Sequence, residues 1–308
     1  MAVTSIYKSA AGKQAVERRY REALARWPVA HRQLVVPTRH GDTFIVASGD
    51  AGAPPVVLVH GSGANASMWM HDVAAWAREF RVYAVDVIGE PGLSAPSRPP
   101  LGSGAYVEWM DDVWQALALP CAAIVGISLG GWLGLEYAAR RPQHVASLSV
   151  ISPSGVGAQN RAFLLKAGVL LLLGEWGRRR ALRLVTGGRE LPREAAEPLM
   201  LRFRHFRPRM EPVPVRSDAD LAALTMPVQL IAGGRDVMLR SEETRDRMQQ
   251  HVRSLEVIFL EEEGHIVAGQ NAAIASFLRR TLAATVKGLG TGDWGLAAHV
   301  SNLPAGSN

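Results

Sequence analysis

The chain has 308 residues, of which 48% are hydrophobic and 20% charged, a composition typical of a globular protein. This length exceeds that of most single cores, but α/β folds of this size are commonly one domain with an insertion. The single cysteine, Cys121, excludes an internal disulfide framework and fits a reducing compartment. His40, His60 and His71 are scattered, so neither a metal nor a cofactor is expected.

The N-terminal residues do not show the pattern of a secretory signal peptide. Residues 1–8 lack the apolar segment of a secretory signal, and a mixed-charge helix is predicted over 13–27. The longest apolar run, 167–174, is too short to span a bilayer. We therefore expect a cytoplasmic protein without stable membrane insertion.

Strand and helix patterns alternate along most of the chain. Eight segments predict strands, namely 33–37, 43–48, 55–59, 81–86, 122–127, 145–151, 228–232 and 256–260. The first two flank His40-Gly41-Asp42, a turn sequence that predicts an antiparallel edge. Helices are predicted over 68–79, 106–117, 129–141 and 241–252. This alternation indicates an α/β fold with a mostly parallel sheet and helices on both faces.

The alternation lapses between residues 155 and 216. This segment predicts a helical insertion into a core formed by 1–154 and 217–286. Residues 287–308 are rich in glycine and lack periodicity, which predicts a flexible C-terminal tail.

The insertion is also the basic part of the chain. It contains 13 Lys and Arg against 5 Asp and Glu, a net charge of +8, whereas the rest has 21 basic and 23 acidic residues, a net charge of −2. A solvated helical face is the favoured interpretation, and attraction of anionic substrates or lipid headgroups is the alternative. No nucleic-acid partner is expected, because no recognised binding module accompanies the arginines.

The sequence Gly126-Ile127-Ser128-Leu129-Gly130 lies between a predicted strand and a predicted helix. Gly-x-Ser-x-Gly at such a junction is typical of a nucleophile elbow, where the serine hydroxyl is exposed on a strained turn. A serine hydroxyl needs a base to take its proton and a third group to orient that base. Ser128 is therefore the candidate nucleophile, with the alternative that it only caps the following helix.

Two downstream residues fit those roles. Asp236 follows the predicted strand 228–232, and His265 follows the strand 256–260. The order serine, acid, histidine, with each residue after a strand, predicts a triad of Ser128, Asp236 and His265. An aspartate after glycine is also common as a simple turn residue, which is the alternative for Asp236.

Acyl transfer also needs backbone N–H donors for the developing oxyanion. Leu129, directly after the nucleophile, is one candidate donor. His60-Gly61-Ser62-Gly63 follows the strand 55–59, and we predict the second donor at Ser62.

Four stretches together resemble the α/β-hydrolase superfamily. They are His60-Gly61-Ser62-Gly63, the Asp86-to-Ser94 loop, the elbow at Ser128, and Gly264-His265. The second stretch is similar to the family pattern Asp-x-x-Gly-x-Gly-x-Ser, except that Glu90-Pro91 adds a residue between the glycines. This Gly-Glu-Pro-Gly form resembles a subset of the family that contains carboxylesterase-like proteins and hydrolases of unknown substrate, so it indicates the fold more narrowly than the substrate.

The resemblance implies further roles for single residues. The insertion at 155–216 would be a cap that covers the active site and selects the substrate. Trp69 and Trp132 would lie near the substrate pocket, although packing is favoured for Trp132. His60, Asp86 and Ser94 would support their loops rather than take part in the chemistry.

The sequence therefore predicts a serine hydrolase acting on a small-molecule carboxylic ester, as a monomer or homodimer. Cleavage of a carbon–carbon bond, a lactone or an amide by the same triad stays open, because fold likeness does not rank these substrates. Haloalkane dehalogenases and epoxide hydrolases are disfavoured, since those relatives carry an aspartate where Ser128 stands. A non-catalytic small-molecule receptor of the same fold is the rival from another class.

Overall fold

A mostly parallel sheet forms the centre of the structure, a computed structural model that describes residues 5–289 and 301–302. Its strands are β1 (His31–Val36), β2 (Thr43–Ser48), β3 (Pro55–Val59), β4 (Arg81–Val85), β5 (Ala122–Ile127), β6 (Val145–Ile151), β7 (Val228–Gly233), β8 (Leu255–Leu260) and β9 (Ser301–Asn302). Their spatial order is β8-β7-β6-β5-β3-β4-β2-β1-β9. The strands from β3 to β8 pair in parallel, whereas β2 is antiparallel to both of its neighbours.

The predicted α/β fold is confirmed. The eight predicted strands are β1 to β8, and their ends lie within two residues of the predicted ends. The turn at 40–42 joins β1 to β2 as an antiparallel pair, as predicted. β9 was not predicted, because two residues carry no recognisable period, and it extends the sheet beyond β1.

Helices cover both faces of the sheet. They are α1 (Ala10–Leu24), α2 (Met70–Trp76), α3 (Ala105–Ala116), α4 (Leu129–Arg140), α5 (Arg161–Leu172), α6 (Gly174–Val185), α7 (Arg193–His205), α8 (Asp218–Ala222), α9 (Ser241–His251) and α10 (Asn271–Leu289). One apolar cluster packs α3, α4, α8 and α9 against the sheet, and a second packs α1, α2 and α10 against it. Because both faces are covered, β2 to β5 are buried almost throughout.

The region predicted as an insertion contains α5, α6 and α7. The segment just before α1 pairs with the end of α7. Lys8 N–H donates to the His205 carbonyl (2.8 Å), and Arg207 N–H donates to the Ile6 carbonyl (2.8 Å).

Among the residues that the structure describes, no helix combines the length and apolar character needed to cross a membrane.

The predicted tail at 287–308 is only partly described. α10 continues through Leu289, so the first three residues of that segment are helical, and Ser301–Asn302 form β9. The other tail residues lie outside the described part of the chain.

Candidate active site

Ser128 lies in a sharp turn between β5 and α4. Its backbone has φ 53° and ψ −111°, a conformation that non-glycine residues rarely adopt. Hydrogen bonds hold this turn, because Ser128 N–H donates to the Ile151 carbonyl (2.9 Å) and the Ser128 carbonyl accepts from Trp132 N–H (3.0 Å). Backbone strain of this kind persists only where the surroundings fix it, and it is frequent at functional sites.

The two glycines of the elbow permit close backbone packing. A Cβ on Gly126 would lie 2.4 Å from the Gly130 carbonyl oxygen, and one on Gly130 would lie 2.1 Å from the Val59 carbonyl oxygen. Both distances are far below van der Waals contact. Glycine at position 126 therefore lets β5 lie close to the first turn of α4, and glycine at position 130 lets that turn approach β3.

The structure brings the three predicted triad residues together. Ser128 Oγ lies 3.0 Å from His265 Nε2, and His265 Nδ1 lies 2.7 Å from Asp236 Oδ2. Asp236 Oδ1 accepts from the backbone N–H groups of Met238 (2.7 Å) and Leu239 (3.1 Å), which orients the carboxylate. With a carboxylate oxygen at Nδ1, the ring proton belongs on that nitrogen, and the Nε2 lone pair faces Ser128.

The histidine and the aspartate are shielded from water. The Asp236 side chain is fully buried, and only 8% of the His265 side chain is exposed. The N–H of His265 donates to the Val185 carbonyl at the end of α6 (2.9 Å), which fixes the loop that carries the ring. This shielding strengthens the electrostatic contact between the carboxylate and the imidazole.

The two predicted oxyanion donors lie on neighbouring elements. Leu129 is the first residue of α4, where an N–H has no partner within its own helix. Within residues 5–289, neither Leu129 N–H nor Ser62 N–H donates to another protein group. A Cβ on Gly61 would lie 3.4 Å from Ser128 Cβ, so the loop of Ser62 runs alongside the nucleophile. Donation by these two groups to a reacting carbonyl stays a prediction.

His60 supports this loop, as expected from the sequence. Its Nδ1 lies 2.8 Å from the Gly61 carbonyl oxygen, and its Nε2 lies 3.0 Å from the Val87 nitrogen. Nε2 accepts from the Val87 N–H, so Nδ1 carries the proton that is donated to Gly61. Burial lowers the pKa of His60 to about 4, and the ring is therefore neutral at physiological pH.

Asp86 and Ser94 fix the neighbouring loop. Asp86 accepts from Ala66 N–H (2.7 Å), Leu93 N–H (2.7 Å) and the Tyr20 hydroxyl (2.9 Å). The Ser94 hydroxyl donates to the Asp86 carbonyl (2.7 Å). Burial raises the pKa of Asp86 to about 6, although these hydrogen bonds oppose that rise.

Trp69 and Trp132 are both packed in the core. The Trp69 ring packs against that of Trp76, with 6.0 Å between ring centroids. Trp132 donates its indole N–H to the Pro214 carbonyl (2.9 Å) and lies under the Arg216 guanidinium. Each tryptophan is only 1% exposed and offers almost no surface to a ligand in this conformation. Their predicted contact with substrate would require movement of their neighbours and stays a prediction.

Two polar residues beside the site were not predicted from the sequence. Ser154 Oγ lies 3.4 Å from Ser128 Oγ, and Ser154 N–H donates to the Ser128 carbonyl (3.1 Å). Glu90 Oε2 accepts from Gly63 N–H (2.6 Å) and lies 3.4 Å from the Ser62 hydroxyl. The extra Glu90-Pro91 step in the Asp86 loop was the available signal for Glu90.

Glu90 should make stability depend on pH. Burial raises its pKa from 4.5 to about 7, although the Gly63 N–H and the charges of Arg98 and Arg209 oppose the rise. The folded protein therefore holds this proton more tightly than the unfolded chain does, and the stabilisation from protonated Glu90 is lost as pH rises from about 4.5 to 7. Glu90→Gln should gain up to about 3 kcal/mol of unfolding free energy relative to wild type between pH 4.5 and pH 8.

Urea unfolding of both proteins at the two pH values tests this expectation. Glu242→Gln is the matched control, because Glu242 is exposed on α9 and should give the same difference from wild type at both pH values. A Glu90→Gln difference that does not change with pH would contradict the prediction.

The groups at this site are suited to nucleophilic and acid–base chemistry. A serine hydroxyl lies against an imidazole that is oriented by a carboxylate, and the N–H groups of Leu129 and Ser62, which donate to no other described group, lie nearby. Across residues 5–289 and 301–302, no group of three or more His, Cys, Asp or Glu side chains is arranged to hold a metal ion.

Comparison with known proteins assigns the family. The model of the alpha/beta hydrolase family matches residues 56–277. Carboxylesterase YbfK of Bacillus subtilis is 30% identical over 276 residues, which cover 84% of this chain and 92% of that protein. The crystal structures of carboxylesterase CesB (YbfK) and of naproxen esterase, both from Bacillus subtilis, superpose with a TM-score of 0.79 at 27% and 25% identity. Each covers 89% of this chain and 99% of its own. The chain belongs to the alpha/beta hydrolase family.

Proposed function

We propose that the protein is a serine hydrolase that cleaves small-molecule carboxylic esters. The observation that carries this proposal is the continuous hydrogen-bonded chain from Ser128 through His265 to Asp236, with the serine on a strained elbow. The ester as substrate class is supported by the relatives, which are named carboxylesterase and naproxen esterase.

The first half of the reaction forms an acyl-enzyme. His265 Nε2 takes the proton of the Ser128 hydroxyl while Oγ attacks the ester carbonyl, and Asp236 stabilises the resulting imidazolium. The N–H groups of Leu129 and Ser62 donate to the oxyanion of the tetrahedral intermediate. The intermediate then collapses, the carbon–oxygen bond of the alcohol breaks, and the imidazolium gives its proton to the departing alkoxide.

The second half releases the acid. Water enters where the alcohol left and gives a proton to His265 while its oxygen attacks the acyl carbon. The second tetrahedral intermediate uses the same two N–H donors. Its collapse breaks the bond to Ser128 Oγ, and the proton returns from His265 to the serine. No cofactor takes part in this sequence.

The segment 155–216 is proposed as a cap on a core of 1–154 and 217–286. Residues at the ends of its helices form hydrogen bonds with the loops that carry Asp236 and His265. Before α5, Asn160 N–H donates to the Met238 carbonyl beside Asp236 (2.8 Å), and after α6 the Val185 carbonyl accepts from His265 N–H (2.9 Å). A segment attached at these points can select which esters reach Ser128 and exclude bulk water. A cytoplasmic location and a monomeric or homodimeric state stay predictions.

A series of nitrophenyl esters from acetate to decanoate tests the proposal. We expect saturable hydrolysis with an optimum at one acyl length, because a bounded pocket favours one chain length. Labelling of Ser128 by a fluorophosphonate without hydrolysis of any ester would contradict the substrate class and favour amide, lactone or carbon–carbon cleavage. Absence of both hydrolysis and labelling would contradict the enzyme and favour a receptor.

A further inference from the structure

Gly63, the neighbour of the proposed oxyanion donor Ser62, is held from two sides by buried ionisable side chains. Its N–H donates to Glu90 Oε2 at 2.6 Å, and its carbonyl oxygen accepts from Arg202 Nε at 2.7 Å. Glu90 is 2% exposed and Arg202 is 8% exposed. The Arg202 contact is therefore a charge-assisted hydrogen bond largely shielded from water, and the Glu90 contact becomes one above the Glu90 pKa of about 7.

The two side chains come from different parts of the fold. Glu90 lies in the loop after β4, whereas Arg202 lies on α7 in the segment proposed as a cap. Within residues 5–289, Arg202 has no carboxylate within ion-pair distance. A buried guanidinium without a direct ion pair is unfavourable for folding, and burial lowers the pKa of Arg202 to about 10. Its hydrogen bond to the Gly63 carbonyl instead fixes this loop to α7.

The loop needs such fixing because it contains two glycines. Gly63 has φ +70°, and a glycine changes between positive and negative φ at little cost. Gly61 is on the other side of Ser62 and contacts the elbow. Rotation about Gly63 would turn the adjoining peptide groups and displace the Ser62 N–H. Bonds to both the N–H and the carbonyl of Gly63 oppose that rotation.

We propose that Glu90 and Arg202 are positioning residues that clamp Gly63 and thereby hold the Ser62 N–H toward the oxyanion. The clamp rests on the proposed function, since it presumes an oxyanion at Ser128. Because Arg202 belongs to α7, the oxyanion hole is complete only while α7 occupies this position. The cap then contributes to transition-state stabilisation as well as to substrate selection.

The rate constant for fluorophosphonate labelling of Ser128 tests the clamp. Ser128 Oγ displaces fluoride from the phosphorus while its proton passes to His265, and the phosphoryl oxygen of the product occupies the proposed oxyanion hole. Arg202→Met keeps a side chain of similar reach but removes the donor, and Arg202→Lys restores a cation. We expect Arg202→Met to slow labelling and to lower kcat by about 10-fold or more, because complete loss of one oxyanion donor costs about 10²- to 10³-fold. KM should stay within about two-fold, and Arg202→Lys should recover part of both rates.

Arg193→Met is the matched control, because Arg193 lies on the same helix, is exposed and pairs only with Glu197 among the described residues. The Arg193→Met protein should label at the wild-type rate.

A second experiment compares two variants of Glu90. Glu90→Gln keeps an oxygen that can accept from Gly63 N–H, so the Glu90→Gln protein should label faster than the Glu90→Ala protein.

The outcomes separate the clamp from the function on which it rests. If wild-type protein labels and Arg202→Met labels equally fast per folded molecule, the clamp is overturned while the serine hydrolase stands, even if the variant unfolds at a lower temperature. If wild-type protein does not label at Ser128, both are overturned.

Discussion

Replacing Ser128 with alanine is expected to lower kcat by about six orders of magnitude, the loss typical of removing a triad serine. Without Oγ there is no nucleophile, and His265 loses the hydroxyl that lies 3.0 Å from Nε2. Rates of ester hydrolysis with a substrate active in the nitrophenyl series give the measurement. The fold should persist, because the bonds that hold the elbow come from the backbone of residue 128.

Ser276→Ala is the matched control, since this serine lies on α10 and its hydroxyl accepts a hydrogen bond from Arg280. It should keep wild-type activity. Thermal unfolding of both variants shows whether each is folded. A folded Ser128→Ala protein with more than a small fraction of wild-type activity would contradict the assignment of the nucleophile.

Replacing Asp236 with asparagine is expected to lower kcat by about 10⁴-fold, as known for other serine triads. Asp236 Oδ1 accepts two backbone N–H bonds, so an asparagine would place its oxygen there and its NH₂ group toward His265. An NH₂ donor at Nδ1 leaves the ring proton on Nε2. In that tautomer, His265 cannot accept the proton of Ser128.

The effect should appear in kcat rather than KM, because the variant changes proton transfer and not the pocket. Asp218→Asn is the matched control, since Asp218 is exposed and interacts with Arg247 and His251 at the surface. Equal activity of Asp236→Asn and Asp218→Asn would show that Asp236 does not orient the base.

The sheet could be predicted because each strand carries a local signal. β3 and β5 are short apolar runs that end at glycine-containing loops, and the 40–42 turn marks a hairpin. β9 has only two residues, and its pairing with β1 is a long-range contact that no local pattern encodes. The ends of helices were predicted less closely than those of strands. α2 ends at Trp76, whereas the sequence predicted a helix that continues to residue 79.

Ser128, Asp236 and His265 could be selected as triad candidates because each follows a strand of a parallel sheet. The carboxyl ends of such strands meet at one edge, so order along the chain predicts proximity in space. Trp69 and Trp132 were harder to place, because an aromatic residue near a site has the same sequence signal whether it packs or binds. The structure shows both in the core.

The contacts of Gly63 could not be predicted from the sequence. Glu90 and Arg202 lie far apart in the chain, and no motif relates an arginine of α7 to the loop of Ser62. Their meeting at one glycine depends on the path of α7, which is held beside α1 by bonds to residues 6 and 8. The only signal in the sequence was the additional residue at Glu90-Pro91, by which the Asp86-to-Ser94 loop differs from the family pattern.

Intact-protein and peptide mass spectrometry after fluorophosphonate treatment tests the central claim most directly. The account predicts one adduct per chain, located on Ser128, with no adduct in Ser128→Ala and a strongly reduced rate in Asp236→Asn. An unlabelled wild-type protein, or an adduct on another serine such as Ser154, would contradict the assignment of Ser128 as the nucleophile.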